Sequence, residues 1–515
     1  MTASIKIHGG SFDGSYYMRL ISYYSSDDRP SRGVWIGRGK SRLKLGKFVE
    51  RQTFKHLLSG KEPNGRRWLS PSFKPKKPRK DQAKRRERAS SFDVCFSVPK
   101  SVSALWAVAD ERTRRIIESA VERAVRRVIA WLEKNVPLGR RGKGGSQKEF
   151  VKLVCAAFLD RDSRRLQPQL HMHTVPLNAG LRSDGTWCAL NSPLLHRWVR
   201  TLGPMFRVEL MADLHKALGL RAELPVTADG KVKTAFELCD VPQTLMEHWS
   251  ARSREAKEDL AGQGGLELAE SASAKAKQAA VLRTRSKKQK PLPLVERFRA
   301  WRDEAAPFGF GPEQVEGLLG RAKLNNPEAH YRRARKQVLR NFMRQDAEFG
   351  KRDLIRQMCE ALQHTGIRLN WLLRRLDRDL AQAKDLVTLN PRDGDARYTA
   401  IATWKLEKKL RATADKLHQQ KSLRIKPKIV EAVIAARPTM TAEQAKALRD
   451  FFAKPSRLGL ITGVAGAGKS FLLDAIRECL QRAGLTPIGA ALSGVAAAVQ
   501  PGESSLPRST DTNQS

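Results

Sequence analysis

Alternating apolar and polar residues in the N-terminal half of the chain predict β-strands. In SFDVCFSV (91–98), every second residue is apolar and falls on one face of an extended strand, while Asp93 and Cys95 fall on the other. VKLVCAAFLD (151–160) and QLHMHTVPL (169–177) are two more strand candidates, joined by the turn sequence RDSRRLQP. The pattern therefore predicts a sheet that contains an antiparallel hairpin.

Helical spacing of apolar residues separates the first of these strands from the hairpin. Residues 110–135 carry Ile, Val and Leu at intervals of three and four, which predicts an amphipathic helix. Strands, a helix and a hairpin together indicate an α+β domain with a central antiparallel sheet. We predict four regions: this α+β domain at 1–260, a basic, mostly helical linker region at 261–435, a partial P-loop α/β fragment at 436–500 and a disordered tail at 501–515.

The charge balance of the chain indicates a polyanionic partner. The chain has 96 Lys and Arg against 53 Asp and Glu, a net charge of +43, and the basic residues are spread along most of its length. Such an excess favours a nucleic-acid-binding surface, and affinity for single-stranded DNA through phosphate contacts is the simple expectation. Basic runs at 74–88 and in GRRGKGG (139–145) are candidates, although such runs are most often solvated, flexible segments.

Cysteine usage and apolar segments bear on the location of the chain. The six cysteines form no Cys-x-x-Cys pair, which argues against a zinc ribbon and against a disulfide framework. The N-terminus MTASIKIHGG lacks the apolar run of a signal peptide, and the chain has no stretch of about 18 apolar residues. We therefore expect a cytoplasmic protein without membrane insertion.

Four of the six tyrosines lie within nine residues, in SYYMRLISYY. One explanation is a helix with aromatic core contacts. The other is that a phenol attacks a DNA phosphodiester and forms a phosphotyrosine link, which requires activation because a phenol has a pKa of about 10. The spacing of Tyr16 and Tyr23 is about two helical turns and would place both on one side of a helix, as two sequential strand transfers would require.

A candidate metal site lies on the second strand of the hairpin. His171 and His173 are two residues apart and would point to the same face of that strand. Asp160 ends the preceding strand candidate and Asp93 lies on the polar face of a third, so imidazoles and carboxylates could surround one divalent cation. A cation there would polarise the oxygens of a scissile phosphate. A lone His-x-His is a weak signal, and the neighbouring carboxylates strengthen it.

Four segments, taken in order, resemble the relaxase domain of TrwC/TraI-type conjugative relaxases, the MOBF class: SYYMRLISYY, GVWIGRGKSRLKLG (33–46), SFDVCFSVPKSVSALWA (91–107) and DRDSRRLQPQLHMHTVPLNAG (160–180). Their order and spacing match along roughly residues 10–260. The resemblance implies an HUH-type relaxase fold and metal-dependent nicking and strand transfer of single-stranded or hairpin DNA at a transfer origin. It also implies partners among other transfer-complex proteins, including a coupling protein.

The same resemblance implies roles for the tyrosines and for Asp93. It makes both pairs catalytic, Tyr16 with Tyr17 and Tyr23 with Tyr24. Tyr16 would be the first nucleophile, and Tyr23 or Tyr24 the second. Asp93 would help to position or deprotonate the active-site groups.

The resemblance also implies that His171 and His173 are metal ligands, with one departure from the family pattern. The family carries a third histidine eleven residues before the His-x-His pair, and this chain has Asp160 at that position. Oxygen ligands suit hard cations, so we expect a working site of two histidines and Asp160 that takes Mg²⁺ or Mn²⁺.

A phosphate-binding motif occurs near the C-terminus. GVAGAGKS (463–470) fits the Walker A pattern, with the apolar strand candidate LGLIT (458–462) before it and a helix after it. Backbone N–H groups of such a loop hold phosphates, its lysine reaches the outer phosphates and its serine holds Mg²⁺. The candidate nucleotide-binding residues are Gly463, Gly466, Gly468, Lys469 and Ser470.

Two segments around this loop resemble motifs of superfamily 1 helicases. TAEQAKALRDFF (441–452) resembles the adenine-contact motif, with Gln444 as the contact, and GAALSGVAAAV (489–499) resembles a later motif. Only 45 residues follow Ser470, and they contain no apolar strand that ends in Asp-Glu. We therefore expect ATP binding without motor activity, from the start of a helicase domain that is cut short.

Three classes of function stay open on the sequence alone. The first, which the paired tyrosines favour, is an active DNA relaxase, and a rolling-circle replication initiator is its chemical neighbour. The second is an ATP-driven helicase, against which the absent later motifs count. The third is a non-catalytic DNA-binding remnant of a relaxase–helicase, which Asp160 would permit.

Overall fold

A computed structural model describes residues 3–9, 12–18, 33–74, 88–227, 230, 232–251, 254–256, 258–262, 276, 279–280, 283, 293–322, 326–392, 394–422, 424–453, 456–464 and 466–488. The strands are β1 (Ala3–His8), β2 (Val34–Ile36), β3 (Ser91–Ser97), β4 (Gly139–Arg141), β5 (Gln147–Glu149), β6 (Cys155–Asp162), β7 (Pro168–Pro176), β8 (Gly180–Leu181), β9 (Trp187–Cys188), β10 (Ala222–Glu223), β11 (Glu237–Leu238), β12 (Phe349–Gly350), β13 (Leu386–Arg392) and β14 (Asp395–Ala400). The helices are α1 (Arg51–Leu58), α2 (Lys100–Val108), α3 (Glu111–Asn135), α4 (Ser192–Leu218), α5 (Gln243–His248), α6 (Leu294–Ala305), α7 (Pro312–Leu318), α8 (Pro327–Gln345), α9 (Lys351–Leu362), α10 (Leu369–Gln382), α11 (Ile401–Gln419), α12 (Pro427–Ala435), α13 (Ala442–Ala453) and α14 (Lys469–Arg482).

The chain divides into two compact units, Met1–Ala400 and Ile401–Ser515. The first is built on a central sheet in which described strands lie in the order β1-β3-β7-β6-β2, all neighbours antiparallel. The predicted strands at 91–98 and 169–177 and the antiparallel hairpin are confirmed. The first hairpin strand begins at Cys155 and runs to Asp162, so Asp160 lies inside the strand and does not end it as expected.

One face of the sheet carries the main hydrophobic core. Phe92, Val94 and Phe96 of β3 are at most 1% exposed and pack in one cluster with apolar residues of α3 and α4. Helix α3 confirms the helix predicted at 110–135, and it begins where the Asp110 carboxylate accepts a hydrogen bond of 2.6 Å from the Thr113 backbone N–H. Burial of this apolar face leaves the opposite face of the sheet for polar chemistry.

A second, smaller cluster covers part of that opposite face. Tyr17 from the helical residues 15–18, Phe54 of α1 and Phe158 of β6 belong to it, and the rings of Tyr17 and Phe158 stack with centroids 5.2 Å apart. The cluster ends where β3, β6 and β7 present polar side chains. It therefore borders the site and holds residues 15–18 against the sheet.

Residues between 293 and 400 pack in the first unit around helices α6 to α10. The Trp301 indole of α6 donates a hydrogen bond of 2.8 Å to the carbonyl of Leu166 in the turn between β6 and β7, and its ring lies against Trp106. Arg297 of the same helix forms a buried ion pair with Asp162. Helix α6 thus holds the hairpin of the central sheet. The region also contains a sheet with the strand order β12-β14-β13, which the expectation of a mostly helical segment had missed.

The second unit contains α11 to α14. The strand predicted at LGLIT (458–462) is wrong: residues 458–464 have no strand structure, and Leu460 is 82% exposed. A strand needs a hydrogen-bonded neighbour, and no described strand pairs with this segment, although Ile461 packs against the apolar cluster of this unit. None of the described helices combines the length and apolarity that a membrane crossing demands. The boundaries predicted near residues 260, 435 and 500 stay predictions.

Candidate active site

Strand register brings the predicted metal-site residues to one face of the sheet. Asp160 of β6 pairs with His171 of β7, and Cys95 of β3 pairs with His173. Cross-strand partners share a face, and so do residues two apart on one strand, which adds Asp93 to the group. The structure thus brings Asp93, Asp160, His171 and His173 to one face of the sheet, together with Cys95.

Asp93 orients the ring of His173. The two carboxylate oxygens lie 2.9 and 3.0 Å from His173 Nδ1. Burial would raise the pKa of Asp93, but the charge of His173 and hydrogen bonds from His173 and Tyr17 hold it below the usual value. An ionised carboxylate only accepts, so Nδ1 donates to it and Nε2 is the ring nitrogen that could bind a metal. This is the arrangement that prepares a histidine for metal binding through Nε2.

His171 is prepared in a similar way by the backbone. Its Nδ1 lies 2.7 Å from the carbonyl oxygen of Gln169, which only accepts, so Nδ1 donates and Nε2 is the ring nitrogen that could bind a metal. The buried carboxylate of Asp160 lies on the Nε2 side of the ring, with Oδ2 3.7 Å from Nε2. Nδ1 of each histidine is thus held by Gln169 or Asp93, and Nε2 is the nitrogen that faces the other donors.

The donor atoms fit a divalent metal. Ligand atoms of Cys95, His171 and His173 all lie within 4.8 Å of one another. Among the described residues, Asp160 does not belong to this mutually close group, although it contacts His171. Its role as a ligand stays a prediction. Sequence reasoning did not include Cys95 in this group, and the available signal was its place on the same strand face as Asp93.

The first tyrosine pair lies over this centre. Tyr16 is half-buried, and its ring lies edge-on to Tyr17 and His173 with centroid distances of 5.1 and 5.9 Å. Tyr17 is 1% exposed, and its hydroxyl oxygen lies 3.4 Å from His8 Nε2. Burial and then the Asp93 charge raise the pKa of Tyr17 far above its usual value. Tyr16 is thus the more accessible phenol of this pair.

Tyr23 and Tyr24 lie outside the described residues. The explanation of the tyrosines as aromatic core residues therefore applies to Tyr17, which packs in the smaller cluster. The proposed second nucleophile stays a prediction from the sequence.

His8 is a further residue of the site that sequence reasoning missed. It is buried at the end of β1, stacks on Phe12 with centroids 3.8 Å apart, and its Nδ1 lies 3.0 Å from Ser91 Oγ. Burial, opposed by the Asp93 charge, lowers the pKa of His8 to about 4. The His8 imidazole is therefore neutral near pH 7, and it lies at the end of β1 next to the Tyr17 hydroxyl. A single histidine on a short strand carries no pattern that would have revealed this.

The predicted DNA contacts fall on two different parts of the chain. The basic run at 74–88 lies almost wholly outside the described residues. Residues 139–145 form strand β4 and the turn that follows it, and β4 pairs with β5. Arg140, Arg141 and Lys143 of this hairpin are exposed. The glycine-rich basic segment is therefore a hairpin that presents cations to solvent.

The predicted nucleotide-binding residues lie in the second unit. Gly466 and Gly468 have φ angles of +82° and +76°, which favour glycine, and α14 begins at Lys469. Lys469 Nζ donates hydrogen bonds of 2.8 Å to the carbonyls of Gly463 and Val464. Gln444 Nε2 donates to the Ala467 carbonyl at 3.2 Å, so the predicted adenine contact touches the loop. The arrangement is compatible with a phosphate loop, and its nucleotide binding stays a prediction.

The sequence profile of TrwC relaxase matches residues 11–308. The chain belongs to the TrwC relaxase family. The matched range contains Tyr16, Asp93, Asp160, His171 and His173, so the family assignment and the described site concern the same part of the chain. A second profile, of an AAA domain, matches residues 439–512, which include the glycine-rich loop.

Named relatives of this family member are conjugation proteins. The multifunctional conjugation protein TraI of Escherichia coli strain K12 is 28% identical over 325 residues, which are 60% of this chain and 16% of that protein. The conjugal transfer protein TraA of Rhizobium radiobacter is 33% identical over 102 residues, 20% of this chain and 9% of that protein. The chain thus spans about a sixth of the length of TraI.

Solved structures of conjugative relaxase TrwC with oriT DNA are also similar to the chain. The metal-bound complex is 29% identical, with a TM-score of 0.48, and the match covers 60% of this chain and 99% of that one. A complex with a 27-mer that comprises the recognition hairpin and the cleavage site is likewise 29% identical, with a TM-score of 0.46, over 60% of this chain and 99% of the other.

Proposed function

We propose that the chain is a conjugative relaxase that nicks single-stranded DNA at a transfer origin and rejoins it through a tyrosine–DNA phosphodiester. The observation that carries this proposal is the half-buried Tyr16 beside His173, whose ring is oriented by Asp93. A nucleophile next to prepared metal ligands is what transesterification at a phosphate requires. The relatives with conjugation names support the same function.

The proposed reaction exchanges one phosphodiester for another. The Tyr16 hydroxyl oxygen attacks the scissile phosphorus, the phenol loses its proton, and the bond from phosphorus to the leaving sugar oxygen breaks. That oxygen takes up a proton and leaves as a hydroxyl group. The phosphotyrosine bond conserves the energy of the broken linkage, so a strand hydroxyl can later attack it and release Tyr16.

The surroundings of the two first tyrosines support Tyr16 rather than Tyr17 as the nucleophile. Tyr17 is buried against Phe158, and its raised pKa opposes phenolate formation. Its hydroxyl donates to Asp93, the same carboxylate that holds His173. Tyr17 is therefore suited to fixing the site, while Tyr16 keeps access to solvent and to a bound strand.

His171 and His173 would hold the divalent cation, with Asp160 beside His171. When bound, the cation would supply electrostatic polarisation of the phosphate oxygens. The two histidines are held for this task by Gln169 and Asp93. The expected preference for Mg²⁺ or Mn²⁺ depends on Asp160 as the third ligand. A Cys95 thiolate in that place would change the preferred metal.

The DNA partner would be a single strand or a hairpin beside a single strand. Exposed cations of the β4–β5 hairpin and the basic run at 74–88 would contact phosphates, which gives affinity without sequence preference. Other transfer-complex proteins, including a coupling protein, are proposed partners in a cytoplasmic setting. We also propose that Gly463–Ser470 and Gln444 bind ATP.

A covalent-adduct assay tests the proposal. The full chain is incubated with labelled single-stranded oligonucleotides from its native transfer-origin region and with Mg²⁺, Mn²⁺ or Zn²⁺, then separated on a denaturing gel. We expect a shifted, labelled protein band for the wild type and for the control Tyr398→Phe, and none for Tyr16→Phe. Absence of an adduct from the wild type with each of these metals would overturn the function. An adduct that persists in Tyr16→Phe would move the nucleophile to another tyrosine.

A further inference from the structure

One residue of the close donor group has no role in the relaxase chemistry described so far. Cys95 pairs with His173 across β3 and β7, and its Sγ lies within 4.8 Å of ligand nitrogens of His171 and His173. We propose that Cys95 is a metal ligand, so that this chain has a His₂Cys centre for a zinc-like cation rather than a site for Mg²⁺. This assignment deepens the proposed function. Only the catalytic role of the metal rests on that function, whereas the identity of the ligands does not.

The donor set decides the class of metal. Thiolate and imidazole ligands select Zn²⁺ and other borderline or soft cations, whereas Mg²⁺ prefers oxygen ligands in octahedral geometry. Of the three residues, two offer nitrogen and one offers sulfur, and none offers oxygen. Among the described residues, Cys95 is the one cysteine in this donor group. It alone therefore adds a sulfur ligand to the two imidazoles.

The number of ligands suits a catalytic rather than a structural centre. Catalytic zinc sites have three protein ligands and keep the fourth tetrahedral position open for water or substrate. Cys95, His171 and His173 come from only two adjacent strands, β3 and β7, and so lie on one side of the metal position. Tyr16 lies beside the same residues, with its ring centroid 5.9 Å from that of His173.

Asp160 acquires a different role in this arrangement. Its Oδ2 is 3.7 Å from His171 Nε2, and it pairs with His171 across the strands, but it lies outside the mutually close donor group of the described residues. Because Asp160 faces the Nε2 atom that would bind the metal, we place it beside the centre and outside its set of three mutually close ligands. The sequence-based ligand set of two histidines and Asp160 thereby becomes two histidines and Cys95.

Metal binding by Cys95 is a simple exchange. The S–H bond breaks, a sulfur–metal bond forms, and the proton leaves to solvent, with no change of oxidation state. Nδ1 of each histidine already contacts Asp93 or the Gln169 carbonyl, so Nε2 is the ring nitrogen that would face the metal.

Cobalt spectroscopy tests the assignment without reference to activity. The full-length chain is stripped of metal with a chelator and titrated with Co²⁺, whose bond to a thiolate produces near-ultraviolet charge-transfer absorption. We expect this absorption in the wild type and in Cys239→Ser, a half-buried cysteine outside the group, and its loss in Cys95→Ser. Absorption that persists in Cys95→Ser, or wild-type protein that binds Co²⁺ without it, overturns the proposal.

A second measurement needs only the wild type. Alkylation of the native protein, followed by peptide mass mapping, reports the reactivity of each cysteine with and without Zn²⁺. We expect Zn²⁺ to protect Cys95 and to leave Cys239 unchanged, and equal alkylation of Cys95 in both conditions would overturn the ligand assignment. Covalent DNA adducts are scored separately. A wild type that shows the cobalt–thiolate absorption but forms no adduct would refute the relaxase function and leave the metal ligand standing.

Discussion

Replacement of Asp93 by Asn tests how far the metal centre depends on the orientation of His173. The substitution keeps size and shape but removes the charge that fixes the ring through contacts of 2.9 and 3.0 Å to Nδ1. The amide oxygen can still accept from Nδ1, but a neutral acceptor is weaker. If the amide instead turned its NH₂ group to Nδ1, the ring proton would move to Nε2 and remove the lone pair that binds metal.

The expected loss follows from the difference between these hydrogen bonds. Hydrogen bonds to charged groups contribute about 1.5–3 kcal/mol, and neutral ones about 0.5–1.5 kcal/mol. A difference of about 1.4 kcal/mol is tenfold in affinity, within the range of about 10–100-fold that loss of such a supporting partner costs metal sites. We expect Asp93→Asn to weaken metal binding at least about tenfold, and Asp93→Ala about 100-fold.

Competition with a chromophoric chelator measures this affinity directly. Asp184→Asn is the matched control, because Asp184 is an exposed carboxylate on the β8–β9 hairpin whose partners are Thr186 and Arg182. The control should bind metal as the wild type does. Equal affinities for Asp93→Asn and Asp184→Asn would refute the account of His173 orientation.

Three further predictions concern other parts of the chain. The folded chain holds the pKa of His8 at about 4 against 6.5 when unfolded, so only the unfolded chain gains a proton between these values. The unfolding free energy should therefore fall as pH drops from 6.5 towards 4, with a weaker dependence in His8→Gln and an unchanged one in the exposed-residue control His196→Gln. Trp301→Ala should lower the free energy of unfolding by about 3–5 kcal/mol, because Trp301 is 2% exposed. Trp404→Ala is the control and should cost far less, since Trp404 is 38% exposed. Similar losses of unfolding free energy in both variants, measured by denaturant titration, would contradict the role of α6. Lys469→Ala should weaken binding of a fluorescent ATP analogue by about tenfold or more, and Lys446→Ala should not, whereas equal binding by both variants would refute the predicted phosphate loop.

The part of the fold that could be predicted is the part where local pattern and tertiary packing agree. The strand at 91–98 shows clean alternation because one of its faces enters the core, and the apolar spacing of 110–135 matches the stripe that α3 buries. The hairpin followed from two strand patterns and one turn. The sheet of β12, β14 and β13 was missed because its short strands are stabilised by long-range pairing, such as Phe349 with Tyr398, which no local window contains.

The residue types of the site could be predicted from the sequence, but the register of the strands that carry them could not. His171 and His173 share a face by their spacing alone, whereas the neighbours across the strands depend on how β3, β6 and β7 align. That alignment places Cys95 opposite His173 and Asp160 opposite His171. His8 reaches the site only because β1 pairs with β3, and its burial then sets its pKa. In the same way, a strand at LGLIT needs a partner that its own apolar residues cannot supply.

Mapping of the covalent linkage tests the central claim most directly. The full chain is incubated with a single-stranded oligonucleotide from its native transfer-origin region and divalent metal, digested, and searched by mass spectrometry for a peptide that carries a nucleotide phosphate. The account predicts that the modified residue is Tyr16, and that Asp93→Asn lowers the yield of this peptide together with metal affinity. A linkage to Tyr17, or the absence of any nucleotide-modified peptide, would contradict it.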